Sequence, residues 1–175
     1  NGGSNGSATV SPSGGLGSYS YSWSPSGGTS STASGLVAGT YTVTVTDGNS
    51  CTATRSFTIT QPTAISVTPA SQTNVSCFGV SNGAASINNP TGGAGGFTYN
   101  WSPGNPTGDG TRSVTGLSAG TWTCTVTDAN GCSVDRSFTI TQPTAISTAT
   151  GSQTNVTCNG GSNGSATVSP SGGLG

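Results

Sequence analysis

One sequence of 28 residues occurs twice, as GTYTVTVTDGNSCTATRSFTITQPTAIS at 39–66 and as GTWTCTVTDANGCSVDRSFTITQPTAIS at 120–147. The two copies share 21 of their 28 residues. In each copy apolar or aromatic residues alternate with threonines, which is the period of a strand with one buried face. A short turn rich in Asp, Asn and Gly leads to a second alternating run that contains Phe57 or Phe138. The pattern therefore predicts a β-hairpin in each copy.

The repetition extends beyond the hairpin and indicates a tandem array of one small domain. SQTNVSC at 71–77 returns as SQTNVTC at 152–158, a spacing of 81 residues, and residues 1–17 are identical to 159–175. Repeats of this length are typical of arrays in which each repeat is one structural unit. We therefore expect the chain to be a segment of a longer polymer. Its predicted parts are an immunoglobulin-like repeat lacking its first segment at 1–63, a complete repeat at 64–143 and the start of the next repeat at 144–175.

Short strands separated by frequent turns predict an all-β fold of tandem immunoglobulin-like β-sandwich domains with no helix. An aromatic strand in each copy ends in Trp23 or Trp101, where such a sandwich has a tryptophan on its third strand. Tyr41 lies where a tyrosine corner is expected. Trp122 replaces the tyrosine in the second copy, so the sequence predicts the corner hydrogen bond for the first copy alone. The predicted core markers are Trp23, Trp101, Tyr41 and Trp122.

The composition excludes several classes of function. The chain has no His, Lys or Glu and only four acidic residues, so it lacks the usual general acids and bases, and we predict no enzyme activity and no cofactor. A charged fraction of 4% and a net charge of −1 give no electrostatic basis for binding nucleic acid. No run approaches the ~20 apolar residues of a membrane span, so we expect no membrane insertion.

The sequence offers no convincing metal site. Zinc is not expected, because the chain has no histidine and no CxxC motif. Calcium prefers several carboxylates in one site, and four aspartates are too sparse for that. Asp47 and Asp128 occupy equivalent turns between the two runs of each hairpin. We expect their carboxylates to bond the backbone of their own turns.

Several motifs together resemble the SprB repeat. They are NVSC at 74–77, GLSAGTWTCTVTDANGC at 116–132 and FTITQPTAIS at 138–147. The SprB repeat family forms long arrays in giant surface proteins of the Bacteroidetes, including gliding-motility adhesins. The resemblance implies an extracellular, bacterial cell-surface location and an adhesive or filamentous role without catalytic residues. The chain departs from the family pattern chiefly at Cys124, where a valine is usual.

Two cysteines per repeat in a secreted array predict a disulfide framework. The favoured pairing joins Cys77 to Cys132, and Cys51 and Cys158 then pair with cysteines outside this segment. Each repeat would in that case carry its own covalent link. The other pairing joins neighbouring repeats, Cys51 to Cys77 and Cys132 to Cys158. Cys124 has no obvious partner and is expected to be a buried free thiol.

These observations predict a structural repeat of a long extracellular filament or adhesin stalk, acting as a spacer that associates with itself. The expected partners are the tandem neighbours and further copies in a homopolymeric filament, because exposed edge strands and low charge favour association. The alternative is an adhesin domain whose variable loops, such as 102–112, bind glycans or another surface.

Overall fold

The computed structural model describes residues 2–173, so the outer limits of the first and third predicted repeats, at residues 1 and 175, lie outside the described range. Within that range the chain forms thirteen β-strands and no helix, which confirms the predicted all-β fold. No helix in the described part is therefore long and apolar enough to cross a membrane. The chain divides into two compact units, the first ending at Ala64 and the second beginning at Ile65.

The first unit contains five strands in two antiparallel sheets. They are β1 (Gly6–Thr9), β2 (Ser20–Ser24), β3 (Thr32–Leu36), β4 (Gly39–Thr46) and β5 (Thr52–Ile59). Strand β1 pairs with β3, and the other sheet has the order β2-β4-β5. The predicted hairpin is β4–β5, in which Tyr41 lies opposite Phe57. The buried core draws on both sheets and consists of Ala8, Trp23, Ala33, Leu36, Tyr41, Val43 and Val45.

The second unit begins with six strands that form a complete repeat, a name used below for residues 65–143. The strands are β6 (Pro69–Thr73), β7 (Gly83–Ile87), β8 (Thr98–Ser102), β9 (Ser113–Leu117), β10 (Gly120–Thr127) and β11 (Ser133–Ile140). They form two three-stranded antiparallel sheets with the orders β6-β7-β9 and β8-β10-β11. One core lies between the sheets and contains Val75, Ala85, Ile87, Trp101, Val114, Leu117, Trp122, Cys124, Val126, Phe138 and Ile140.

Two sheets that share one apolar core make the complete repeat a layered β-structure, while the immunoglobulin-like strand arrangement stays a prediction. The layers approach each other closely at Gly83. A Cβ atom there would lie 2.9 Å from Ile140 Cγ2, 2.9 Å from the Leu117 carbonyl oxygen and 3.2 Å from that of Thr73. Only glycine fits at this point, so Gly83 allows β6, β9 and β11 to converge on β7.

The last two strands, β12 (Thr144–Thr154) and β13 (Ser165–Gly173), pair only with each other among the described strands. They form an antiparallel hairpin in which no residue is buried. Their sequence corresponds to β6 and β7 of the complete repeat, at a spacing of 81 residues. The β12–β13 hairpin thus corresponds to the strand pair β6–β7 of the complete repeat.

Candidate interaction surfaces

The two predicted core tryptophans are buried and are used internally. The indole Nε1 of Trp23 donates a hydrogen bond of 2.9 Å to the Ser30 carbonyl, and that of Trp101 donates one of 2.9 Å to the Thr111 carbonyl. Each indole therefore holds the loop that follows its own strand. Since neither ring face is open to solvent, these tryptophans offer no platform on which a sugar could stack.

The residues at the predicted corner make equivalent hydrogen bonds in both repeats. The Tyr41 hydroxyl donates to the Val37 carbonyl at 3.2 Å. In the complete repeat, the Trp122 indole Nε1 donates to the Ser118 carbonyl at 3.0 Å. The indole thus replaces the phenol as the donor across the same four-residue separation. Both rings are buried, so each closes one end of its core.

Asp128 confirms the expected turn chemistry and adds a long-range contact. Its Oδ1 accepts hydrogen bonds from the backbone N–H groups of Asn130 and Cys132, at 3.0 and 2.9 Å. Its Oδ2 accepts a further bond of 2.9 Å from the N–H of Ala94, which lies 34 residues earlier. These bonds, led by that of Ala94, lower the pKa of the Asp128 carboxyl. Asp128 therefore fastens the glycine-rich loop before β8 to the β10–β11 turn.

Asp47 makes the same set of bonds in the first unit. It accepts from the N–H groups of Asn49 and Cys51 within its turn and from that of Leu16 across the loop, at 3.1 Å. The bond from Leu16 is the largest cause of the lowered pKa of Asp47. Both carboxylates are occupied by backbone donors, and residues 2–173 contain no group of three or more acidic, His or Cys side chains that could hold a metal.

The structure does not contain the predicted disulfide between Cys77 and Cys132. Cys77 is an exposed free thiol in the turn after β6, where the neighbouring N–H of Gly79 bonds the Gln142 side chain. Cys132 lies at the opposite end of β11, in the β10–β11 turn. About ten residues of extended chain separate Cys132 from Gln142, roughly 30 Å at ~3.3 Å per residue. Disulfide formation needs Cα atoms about 4–7 Å apart, so this fold cannot form the bond.

The other cysteines differ in accessibility. Cys51 and Cys158 are exposed free thiols, and the cysteines expected to pair with them lie outside this segment, so those pairings stay predictions. Cys124 is fully buried in the complete repeat and is not bonded to another cysteine. Burial, with smaller contributions from the charges of Asp109 and Asp135, raises its pKa to about 11. A neutral thiol at this position behaves as a small apolar side chain.

Hydrogen bonds among its own residues and to the strands next to it hold the variable loop 102–112 in place. The Asp109 Oδ1 accepts a hydrogen bond of 2.8 Å from the Trp101 backbone N–H, and the Thr111 hydroxyl bonds the carbonyls of Gly108 and Ser113. In the first unit the Trp23 N–H instead meets the Gly28 carbonyl at 3.3 Å. The two loops thus differ in length and shape, although both end by holding the indole of their tryptophan.

One edge of β1 in the first unit has no partner among the described strands. Strand β7 of the complete repeat pairs with both β6 and β9, but its counterpart β1 pairs with β3 and with no other described strand. A cavity of about 310 Å³ lies beside this edge. Among its lining residues are Val10, Gly15, Tyr19, Val45, Asp47 and Ala53.

The complete repeat shows what covers the same place. Gly93 and Asp128 there correspond to Gly15 and Asp47 in the wall of the cavity. A Cβ atom on Gly93 would lie 2.9 Å from Asp128 Oδ2 and 2.9 Å from the side chain of Ile65. Ile65 is half-buried against the core. The cavity of the first unit is therefore the position that Ile65 fills in the complete repeat.

The β12–β13 hairpin exposes the side chains that belong in such a core. Ile146, Val156 and Val168 are 74%, 52% and 69% exposed. Their counterparts in the complete repeat are half-buried or buried, namely Ile65, Val75 and Ile87.

The comparison with known families agrees with this repetition. The SprB repeat matches residues 1–28, 70–106 and 150–175, which together make up just over half of the chain. A search among curated proteins gives no match. The three matched segments each include the first strands of a repeat, so the match follows the repetition seen in the structure. The chain belongs to the SprB repeat family, whose repeats occur in gliding-motility adhesins of the cell surface.

Proposed function

We propose that this chain is a structural part of a long extracellular filament or adhesin stalk, in which each repeat acts as a spacer and associates with other repeats. Membership of an adhesin repeat family implies a non-enzymatic role. The proposal rests on one observation. The polar side chains of the kinds that most often bind ligands or catalyse reactions are hydrogen-bonded within their own repeats. Tryptophan indoles, a tyrosine hydroxyl and both turn aspartates are bonded to the backbone of their own repeats.

A spacer needs each repeat to be stable and to join its neighbour at a fixed place. Nine residues, 60–68, connect the last strand of the first unit to β6, and two of them, Ile65 and Val67, pack against the core of the complete repeat. The part of the connection that lies outside a core is therefore shorter than its nine residues. The proline of each Gln-Pro pair ends the preceding strand, since proline cannot donate to a ladder.

Cryo-electron microscopy of filaments formed by the native full-length protein tests the proposal. We expect domains of the size of the complete repeat at a constant spacing along each filament. Native protein that shows no regular domain spacing, or that forms compact particles without any filament, would contradict the structural role.

A second candidate, a glycan-binding adhesin domain, rests on the loop that differs between the repeats. Loop 102–112 is longer than its counterpart 24–31, and variable loops on a constant scaffold often carry binding. Replacing 102–112 by the sequence of 24–31 keeps a carbonyl for the Trp101 indole, so the fold is retained. Glycan-array binding that disappears in this variant supports the binding role, and binding that is unchanged excludes the loop as its source.

A further inference from the structure

We propose that the Cys77 thiol and the Gln142 carboxamide of the complete repeat condense to an internal thioester, which then acylates a primary amine on another molecule. The inference goes beyond the structural role, because it gives the repeat a means of covalent attachment. Three features of the molecule support it: the place in which Gln142 is held, the group that polarises its carbonyl, and the nucleophiles that the sequence lacks.

The segment around Cys77 is bonded to the end of β11 on both sides of the cysteine. Before Cys77, the Val75 N–H donates to the Thr141 carbonyl at 3.1 Å. After Cys77, the Gly79 N–H donates to Gln142 Oε1 at 3.0 Å. Cys77 is two residues from each of these donors, so its Cα lies within about 7 Å of both. The fold therefore keeps the thiol and the carboxamide close together.

The turn that contains Cys77 is tight and leaves the thiol accessible. The Val80 N–H donates to the Cys77 carbonyl at 3.4 Å, which closes a four-residue turn. Gly79 in this turn has a φ of +77°, a left-handed conformation that glycine adopts without strain. Cys77 is exposed, and it lines the same cavity as Pro143. The thiol and the chain directly after Gln142 thus border a common space.

The position of Gln142 is a property of the repeat. Asn74 Oδ1 accepts from the Thr141 N–H at 3.0 Å, so the residue before Gln142 is held by a side chain as well as by the backbone. The first unit places its corresponding glutamine in the same way, because the Gly2 N–H donates to Gln61 Oε1 at 2.8 Å. Holding two reacting groups in one place raises their effective concentration by many orders of magnitude.

The Gly79 N–H also polarises the group that reacts. Because the donor is a backbone N–H, the amide atom that accepts it is the carbonyl oxygen of Gln142. The same N–H stabilises the negative charge that forms on this oxygen as the Cys77 sulfur adds to Cδ. The S–Cδ bond forms, the Cδ–Nε2 bond breaks, and the thiol proton leaves with the nitrogen as ammonia. The step needs no oxidant and no further reactant.

The nucleophiles that the sequence lacks indicate what the thioester acylates. The 175 residues contain no lysine, so no ε-amine in a further copy of them can take the acyl group. They also contain no histidine, so no imidazole takes the proton from a hydroxyl that attacks the thioester. Amines attack thioesters without such a base, so the many Ser and Thr hydroxyls are poor acceptors. A primary amine of another molecule is therefore the acceptor: its nitrogen bonds to Cδ, and Cys77 leaves with the amine proton as a thiol.

The intact mass of the full 175-residue chain, purified without an oxidant, tests the first step. We expect a mass about 17 Da below that of the sequence, which is the loss of one ammonia. Cys77→Ser and Gln142→Glu should each have the full mass of their own sequence. Gln142→Glu keeps a carbonyl oxygen for the Gly79 N–H, so the turn is retained in this variant.

Methylamine is the probe for the second step. It should raise the mass of the thioester form by about 31 Da, and peptide mapping should place the added group on Gln142. It should also release one thiol, so that Cys77 reacts with iodoacetamide after the treatment and not before. Cys51 is the matched thiol, because it is exposed as well and should react in both cases.

Gln61 is the matched glutamine within the same chain. It accepts the equivalent hydrogen bond from Gly2, but the segment of this sequence in that turn contains no cysteine. Gln61 should therefore remain a carboxamide and take up no methylamine. Equal labelling of Gln61 and Gln142 would mean that the reaction does not depend on Cys77, and would overturn the proposal.

The remaining outcomes are distinguished by mass and by peptide mapping. A wild-type chain at its full sequence mass, with Cys77 alkylated as fast as Cys51, overturns the proposal. So does a loss of ammonia that maps to a succinimide at an Asn-Gly pair, or a loss of about 2 Da from a disulfide. A thioester that methylamine leaves intact overturns the attachment step and shows an internal cross-link instead. The filament role is judged separately, from the domain spacing of the native protein.

Discussion

The first unit and the complete repeat contain the same last strand but bury it to different extents. The sequence RSFTITQPTAIS is identical in both. Phe138 and Ile140 are buried, whereas Phe57 and Ile59 are only half-buried. The difference therefore comes from what lies against the strand. In the complete repeat β6 and Val75 cover it, and no described strand does so in the first unit.

The segment after Gln61-Pro62 packs with the repeat that follows it. Ile65, Val75 and strand β6 stand between two copies of the hairpin in the sequence, but they pack in the core and sheet of the second. A repeat in this chain is thus folded by residues that precede its most recognisable motif. Four pairs of matched substitutions, ordered from the largest expected effect to the smallest, test this interpretation.

Truncating the core isoleucine at the end of the last strand should have the largest effect on stability. Ile140→Ala should destabilise the complete repeat by about 3 kcal/mol, because it leaves a cavity in a closed core. Ile59→Ala, in an identical local sequence, should cost the first unit only about 1 kcal/mol, since its side chain is already half open to solvent. Hydrogen exchange read from peptides of each unit measures both values. Equal costs would show that the two cores are covered alike.

Truncating the covering residue tests the same contact from the other side. Val75→Ala should destabilise the complete repeat by about 2 kcal/mol, through lost apolar burial and a residual cavity. Its counterpart Val156 is half exposed in the hairpin, so Val156→Ala should change the stability of the monomeric chain by less than about 0.5 kcal/mol. Urea denaturation at a protein concentration where the chain is monomeric is the measurement. A large effect of Val156→Ala under these conditions would mean that the hairpin is packed within its own chain.

The polar link between β6 and β11 is worth less than the apolar cover. Asn74→Ala removes the acceptor of the Thr141 N–H and should cost about 1 kcal/mol. In the hairpin the Oδ1 of Asn155 accepts from the Gln153 side chain on its own strand. Asn155→Ala therefore breaks no bond to a neighbouring strand and should be close to neutral. Amide exchange of Thr141 reports the effect directly. Unchanged protection of this amide would show that Asn74 contributes nothing to the closure of the repeat.

Much of this architecture could be predicted because it depends on local patterns. Alternation predicted both hairpins, and Trp23 and Trp101 were recognised as core residues from the strands that end with them. The cysteine pairing failed because it depends on which end of β11 each turn approaches, and spacing along the chain carries no such information. The bond from Ala94 to Asp128 was also missed, since it joins residues 34 positions apart.

Acid should affect both turns, with the smallest change of the four. In the folded chain the pKa values of Asp47 and Asp128 lie below the ordinary value of an aspartate, chiefly because the carboxylates accept backbone hydrogen bonds from Leu16 and Ala94. A lowered folded pKa means that the carboxylate stabilises the fold above the unfolded pKa, and that this contribution is lost as the pH falls through the lower, folded value.

The stability of the wild-type chain should therefore fall as the pH drops below about 4, the usual pKa range of an aspartate, and Asp128→Asn should flatten that fall in the complete repeat. Asp47→Asn should do the same in the first unit, so the two variants measure the acid response of each unit separately. Asparagine keeps one oxygen that can accept from the turn, while it removes the charge that titrates. Urea denaturation of each variant across this pH range gives the slopes. A slope that Asp128→Asn leaves unchanged would mean that other groups control the acid response, and that the bond to Ala94 positions its loop without linking the fold to pH.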